Sequence, residues 1–375
     1  MTYDFDTQID RRNTGSNKWS KYPADVLPMW VADMDFSAAP PIVAAITERL
    51  QHPVFGYCSA KPELREQIVA DMQAKYGWTI SAEDIVFLPG VEPGFNMAIK
   101  ALLKPGQTLA IQTPIYRPIL MAPRHWELSQ VDLRVDLPVA EQRSSLALAD
   151  AVLLCNPHNP TGKVYRRDDL LALAEATGDK PIISDEIHCE LLYDGRRHIP
   201  IASLDPSVAQ RTITLMSAAK TYNIPGLKAG FAIVTDTALR EHFNASRLGM
   251  VDSVNILGLE ASLAAFRDCA DWRDDAVAYL QENRDYLAKA VAERLPGVRM
   301  EAPEGTYLAW LDCSALGLAD PQSYFVEHAR VAFSAGSDFG ARYNQFVRLN
   351  FGCTRQTLVE AVDRLASTPA FAGGR

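Results

Sequence analysis

Short apolar runs recur through the first two-thirds of the chain: Ile85 to Leu88, Thr108 to Ile111, Ala151 to Leu154, Pro181 to Ser184, Thr212 to Met216 and Ala229 to Val234. Each is bounded by Gly, Pro, Asn or Asp. Such runs predict strands buried on both faces. Between them, Pro93 to Leu103 and Arg166 to Thr177 carry apolar residues at helical spacing, and strand alternating with helix predicts a mostly parallel α/β sheet. After Thr235 the pattern changes. Helical periodicity runs from Asp236 through Leu295, with a wide polar face over Trp272 to Leu295. GTYLAWLD (Gly305 to Asp312) then reads as strand, Pro321 to Arg330 as helix, FVRLNF (Phe346 to Phe351) as strand, and a closing helix starts at Arg355. This order predicts a smaller α+β unit after the sheet. The expected division is an N-terminal segment at 1–45, a large domain at 46–280 and a small domain at 281–375. The first segment has an apolar patch (LPMWV) but no core of its own, so it is expected to pack on the small unit or on a partner.

Composition narrows the class. The chain has 375 residues, 48% hydrophobic, with 37 Lys+Arg against 46 Asp+Glu and a formal net charge of −9. That length suits two or three units of roughly 150 residues each, large enough to need no disulfide staple. An acidic balance without a Lys/Arg run argues against nucleic acid and against an anionic membrane surface. The polar N-terminus lacks the apolar core of a secretory signal, and no run reaches the ~18 apolar residues of a membrane span. The six cysteines are scattered without a CxxC pair, and the seven histidines show no HExxH spacing. Reduced thiols, a cytoplasmic location and no metal site are the expectation.

Three polar clusters each follow a predicted strand, where α/β proteins place ligands. VLLCNPHNPTG (Val152 to Gly162) sets Asn156, His158, Asn159 and Thr161 in a loop forced by Pro and Gly. IISDEIH (Ile182 to His188) carries Asp185 to the end of a buried strand, a costly place for a carboxylate that meets no cation. LMSAAKTYNIPGLKAGF (Leu215 to Phe231) places Lys220 among small and hydroxyl residues. Pyridoxal phosphate accounts for all three. It needs a lysine amine for a Schiff base, an acid to keep its pyridine nitrogen protonated, and donors for its phenolate and phosphate.

The chain resembles fold-type I pyridoxal-phosphate enzymes of the aminotransferase class I/II superfamily, and among them the carbon–sulfur β-lyases typified by cystathionine β-lyases. The resemblance spans nearly the whole chain and rests on LPMWVADMDF, FGYC, NPHNPTG, SDEIH, SxxK at Ser217 to Lys220, EGTYLAWLD and RLNFGC, in that order. It implies a large pyridoxal-phosphate-binding domain with a mostly parallel seven-stranded sheet, plus a smaller α+β domain. It also implies roles. Lys220 is the Schiff-base lysine, Asp185 the partner of the pyridine nitrogen, Asn159 the donor to the phenolate oxygen and Tyr116 the ring that stacks on the pyridine. The turn Gly90, Val91, Glu92 cradles the phosphate, with Ser217 and Lys228 beside it. Tyr57 reaches the phosphate of a neighbouring subunit, so a homodimer with shared sites is implied. Arg348, with Asn159, holds the substrate carboxylate.

The same cofactor serves transamination, racemisation and β-elimination. Three positions after Asp185, where aminotransferases of this fold carry a phenolate-bonding tyrosine, stands His188, as in the lyases resembled. No second arginine lies in a motif for a dicarboxylic side chain. The expected reaction is therefore β-elimination of cystathionine or a related cysteine S-conjugate, giving thiol, pyruvate and ammonia. An aminotransferase, or a regulatory protein that keeps the fold, are the alternatives. Ala219, Cys58, Arg117 and Glu92 depart from the commoner pattern, and Arg117 and Cys58 are expected to line the substrate pocket.

Overall fold

A seven-stranded sheet organises the larger part of the chain in the computed structural model, which describes residues 2–372. Its strands are β1 (Ile85–Leu88), β2 (Thr108–Thr113), β3 (Ser129–Arg134), β4 (Ala151–Cys155), β5 (Ile182–Asp185), β6 (Thr212–Met216) and β7 (Gly230–Ile233). The spatial order is β1-β7-β6-β5-β4-β2-β3. Only β7 runs against its neighbours; the other pairings are parallel. The six apolar runs all became strands, because both faces are covered. Along β4, Ala151, Leu153 and Cys155 face the helices Val91–Leu102 and Arg117–His125, while Val152 and Leu154 face the helix Arg167–Thr177. β3 was not anticipated: it is an edge strand, SQVDLR, with only Leu133 buried, so no apolar run marks it.

The small sheet consists of β8 (Arg299–Met300), β9 (Leu308–Asp312), β10 (Ser334–Ala335) and β11 (Phe346–Asn350), antiparallel in the order β10-β11-β9-β8. Asp236 to Leu295 resolves into three helices, Thr237–Ala245, Ile256–Asp268 and Ala270–Arg294, the last continuing unbroken past residue 280. Pro321 to Arg330 is not one α-helix. One turn, Pro321–Tyr324, widens into a π-helical turn over Phe325–Ala329 and ends at Arg330 in the left-handed region, φ 54°.

The N-terminal residues join the core of the small sheet. Phe5 meets Phe36 and Trp272 edge-on at 5.1 and 5.6 Å between ring centroids, and Leu27–Pro28 pairs in parallel with Val331–Ala332. Lys18 is almost wholly buried and pairs with Asp35 at 2.6 Å, while Asp35 also accepts from Arg11 at 2.7 Å and from the Trp19 indole at 3.0 Å. Burial of such groups is tolerable only because they are matched.

Candidate active site

The carboxyl ends of the parallel strands all open on one edge of the large sheet, and the predicted polar clusters leave from there. Gly90 to Glu92 follow β1, Tyr116 follows β2, the Asn156 to Thr161 loop follows β4, Asp185 ends β5, and Ser217 and Lys220 follow β6. β7 is reversed, so its start rather than its end meets this edge, which delivers Lys228. Arg348, on β11, faces the same space from the small sheet. All the residues predicted for the site except Tyr57 and Cys58 line one cavity of about 600 Å³.

Lys220 donates from Nζ to the Ala32 carbonyl at 2.7 Å, and the Tyr307 hydroxyl donates to the same oxygen at 2.9 Å. Burial lowers the Lys220 ammonium to about 8, helped by Arg348 and opposed by Asp33 and Asp185. An amine so poised is able to act as nucleophile and base near neutrality. Burial pushes the Asp185 carboxyl the other way, up to about 7, against the Ile187 backbone N–H that donates to it at 3.2 Å. His188 is buried beside both cations. Burial first, then Lys220 and Arg348, hold it well below its ordinary range, so the imidazole is neutral.

Arg348 is fixed by four contacts. It donates to Asn159 Oδ1 at 3.0 Å, to the Trp30 carbonyl at 2.7 Å and to Ser334 Oγ at 3.2 Å, and its guanidinium lies 4.9 Å above the Phe339 ring. Burial lowers it only to about 10, so it stays cationic. Asn159 accepts through its oxygen and thereby keeps its amide N–H groups as donors toward the cavity. The Tyr116 hydroxyl donates to Glu92 at 3.3 Å, and burial raises its pKa above the ordinary phenol value.

At the other end, Gly90 caps the helix Val91–Leu102 with φ 120°, a conformation open to glycine. The free N–H groups of that helix end form an anion cradle. Gly94 lets the helix lie against the sheet, since a Cβ there would come within 2.8 Å of Leu88 and 2.9 Å of Leu215. Ser217 Oγ donates to the Ala229 carbonyl at 2.6 Å and accepts from the Ala219 N–H at 2.9 Å, so it must turn to donate to a phosphate.

These residues fit pyridoxal phosphate. A buried carboxylic acid awaits a ring nitrogen, an amine of lowered pKa awaits an aldehyde, and a helix N-terminus awaits a phosphate. Buried polar atoms without partners, His188 Nδ1 and Arg348 Nε, belong to the same site. No group of three or more His, Cys, Asp or Glu suited to a metal ion occurs among the described residues, and none of their helices is long and apolar enough to cross a membrane.

Some expectations need correction. Cys58 does not line this cavity. It lies in a separate groove near Arg65 and Arg247, where its thiol donates to the Val254 carbonyl at 3.6 Å. His158 turns inward to Thr161, Nδ1 to Oγ1 at 2.8 Å, and Asn156 accepts from the Tyr165 N–H, so both hold the loop instead of facing ligand. Tyr57, expected at the phosphate of a neighbouring subunit and not of its own, is fully exposed on the single chain. Arg117 does line the mouth, paired with Asp338 at 2.9 Å. Sequence reasoning missed Ala32, Trp30 and Tyr307 as individual site residues, although each sits in a motif it singled out. Ser334 and Asp338 carried no signal.

The family model for aminotransferases of class I and II matches residues 24–365. Cystathionine beta-lyase PatB of Bacillus subtilis is 35% identical, covering 96% of this chain and 98% of its own. Among solved structures, that of OvoB is 42% identical with a TM-score of 0.94 over 100% of both chains. Cystalysin from Treponema denticola, which contains a pyridoxal 5'-phosphate cofactor, is 28% identical with a TM-score of 0.93 over 98% of both.

Proposed function

The chain belongs to the class I and II aminotransferase family, and from that premise we propose that it is a pyridoxal-phosphate-dependent carbon–sulfur β-lyase. Its reaction takes a cysteine S-conjugate such as cystathionine, with water, to a thiol, pyruvate and ammonia. The observation that carries this reading is the meeting of Lys220, Asp185 and Arg348 in one cavity, each with its charge tuned by burial. Elimination is favoured over transamination by His188 in place of a tyrosine, and by relatives 31–35% identical that include several named cystathionine beta-lyases.

Pyridoxal phosphate, when bound, supplies an electron-withdrawing ring that stabilises negative charge at the substrate Cα. Gly90 to Glu92, Ser217 and Lys228 would hold its phosphate, Tyr116 would cover its ring, Asn159 and His188 would serve its phenolate oxygen, and Asp185 would serve its nitrogen. Arg348, with Asn159 beside it, grips the substrate carboxylate and so aims the Cα–H bond at Lys220. Lys220 would take the Cα proton and pass a proton to the departing sulfur. In this structure the Ala32 carbonyl holds its amine at 2.7 Å.

We take the functional unit to be a homodimer in the cytoplasm. Tyr57 is fully exposed and lies outside its own cavity, near exposed Val54 and Phe55, an arrangement that suits a partner's site. The six cysteines are all free, as suits a reducing compartment. The domains we assign are 1–45, 46–280 and 281–375.

The test is a substrate panel. The pure holoenzyme incubated with cystathionine, cystine, S-alkylcysteines and cysteine S-oxides should release pyruvate and ammonia in equal amounts from at least one, together with its sulfur fragment: a thiol from cystathionine or an S-alkylcysteine, thiocysteine from cystine, a sulfenic acid from an S-oxide. Absence of pyruvate from all of them refutes the lyase assignment. Conversion of the cofactor to its amino form by amino acid alone, reversed by a 2-keto acid, would establish an aminotransferase instead.

A further inference from the structure

We propose that Arg117 and Asp338 select the leaving group, recognising a thiol that carries its own ammonium and carboxylate; the inference rests on the lyase reading above. The two residues come from opposite sides of the cleft. Arg117 follows Tyr116 and opens the helix Arg117–His125 of the large sheet. Asp338 lies in the turn Gly336–Phe339 between β10 and β11 of the small sheet. Their side chains meet at 2.9 Å at the mouth of the cavity that holds Lys220 and Arg348.

The position of the pair relative to the substrate is fixed. The Ile115 N–H donates to the Phe339 carbonyl at 3.0 Å, tying the turn to the segment that carries Arg117. The Phe339 ring lies under the Arg348 guanidinium at 4.9 Å and against Trp310 at 5.2 Å. The turn that presents Asp338 is thus anchored to the arginine that would hold the α-carboxylate. A substrate gripped at that end by Arg348, with Cα near Lys220, extends its sulfur substituent toward the mouth.

The pair is suited to exchange. With side chains 66% and 42% exposed, it stabilises its own closed form by no more than about fivefold in equilibrium terms. A distal zwitterion repairs both charges when it parts them: its carboxylate meets the Arg117 guanidinium and its ammonium meets Asp338. A methyl or ethyl substituent offers neither group and leaves the pair closed over it. Discrimination therefore comes from charge at the end of the leaving group, while the bond broken is the same.

The experiment compares the wild type with Arg117→Gln and Asp338→Asn as holoenzymes; Arg117 is exposed and Asp338 half-buried, and each change keeps the side chain polar and close to its original size, so the fold tolerates them. The readout is the ratio of kcat/KM for cystathionine to that for S-ethylcysteine, which should fall about tenfold in each variant, the loss of one charge-assisted hydrogen bond. In parallel, calorimetry measures binding of 2,7-diaminosuberate, in which carbon replaces the sulfur, against 2-aminooctanoate, which lacks the distal charges. That affinity ratio should fall similarly. Ratios that move by less than about threefold in both variants overturn the selector. If the wild type cleaves neither conjugate, the calorimetric ratio alone decides whether the pair recognises a distal zwitterion, and the lyase reading is judged separately by the full substrate panel.

Discussion

Asp185→Asn is expected to stabilise the cofactor-free protein at pH 8 and to leave it unchanged near pH 4. Burial raises the Asp185 carboxyl from its ordinary 3.8 to about 7. Between those values the folded protein keeps a proton that the unfolded chain has released, so stability falls as pH rises, by about 1.4 kcal/mol per pH unit. Over the full interval the loss is about 4 kcal/mol. Below 3.8 both states are protonated and the cost is absent; above 7 both have released the proton and it is constant. Water entering the cavity beside the carboxylate offsets part of the penalty, which leaves about 2–4 kcal/mol. Asparagine keeps the shape and still accepts from the Ile187 N–H, but it carries no charge to desolvate. Urea unfolding of wild type and variant from pH 4 to 8, with cofactor removed, gives the difference directly. It should climb from near zero and level off above pH 7. A difference that is flat across this range would show that burial does not govern this carboxyl. The cofactor-loaded variant, by contrast, should lose at least about 10²-fold in activity, since no acid then faces the ring nitrogen.

Three further outcomes follow from the same geometry. Arg348→Gln removes the charged donors for the substrate carboxylate and should weaken equilibrium binding of the unreactive amino acid 2-aminobutyrate by about 10–100-fold; unchanged affinity would mean that another group binds the carboxylate. Mixing inactive Lys220→Ala with inactive Tyr57→Ala should restore up to about a quarter of wild-type activity, because a hybrid dimer contains one site with both residues intact; no recovery after subunit exchange would rule out a shared site. Lys18→Ala leaves Asp35 with Arg11 and Trp19 but without its buried 2.6 Å partner. A loss of about 2–4 kcal/mol is expected in denaturant unfolding, and a loss under 1 kcal/mol would make the pair dispensable.

What the sequence made legible was set by burial. Strands covered on both faces write themselves as apolar runs, so β4, β5 and β6 and the polar residues that follow them stand out. A carboxylate closing an apolar run is costly wherever it is buried, and that cost makes Asp185 conspicuous from its neighbours alone. β3 escaped because an edge strand needs no apolar run, and the widened turn at Phe325–Ala329 escaped because its composition is that of an ordinary helix. Arg117 was expected at the pocket, but its pairing with Asp338 was illegible for another reason. Arg117 and Asp338 are 221 residues apart, and only the docking of the small sheet brings them together. Likewise, nothing in the residue type of Ala32 foretells that its carbonyl receives both Lys220 and Tyr307; backbone groups are common to every position.

The reversed direction of β7 bears on how the protein is made. Since the start of that strand, not its end, supplies Lys228, every group assigned to the cofactor within one chain has been synthesised once residue 230 is reached. The large domain we assign ends at residue 280, and Arg348 follows about 70 residues after that, a delay of about 3–14 s at ordinary rates of translation. Domains fold in order of synthesis as they emerge. A nascent chain would therefore acquire the lysine, the acid and the phosphate cradle well before it acquires a grip on amino acids. Loading with cofactor during synthesis would meet no competition from substrate at the site.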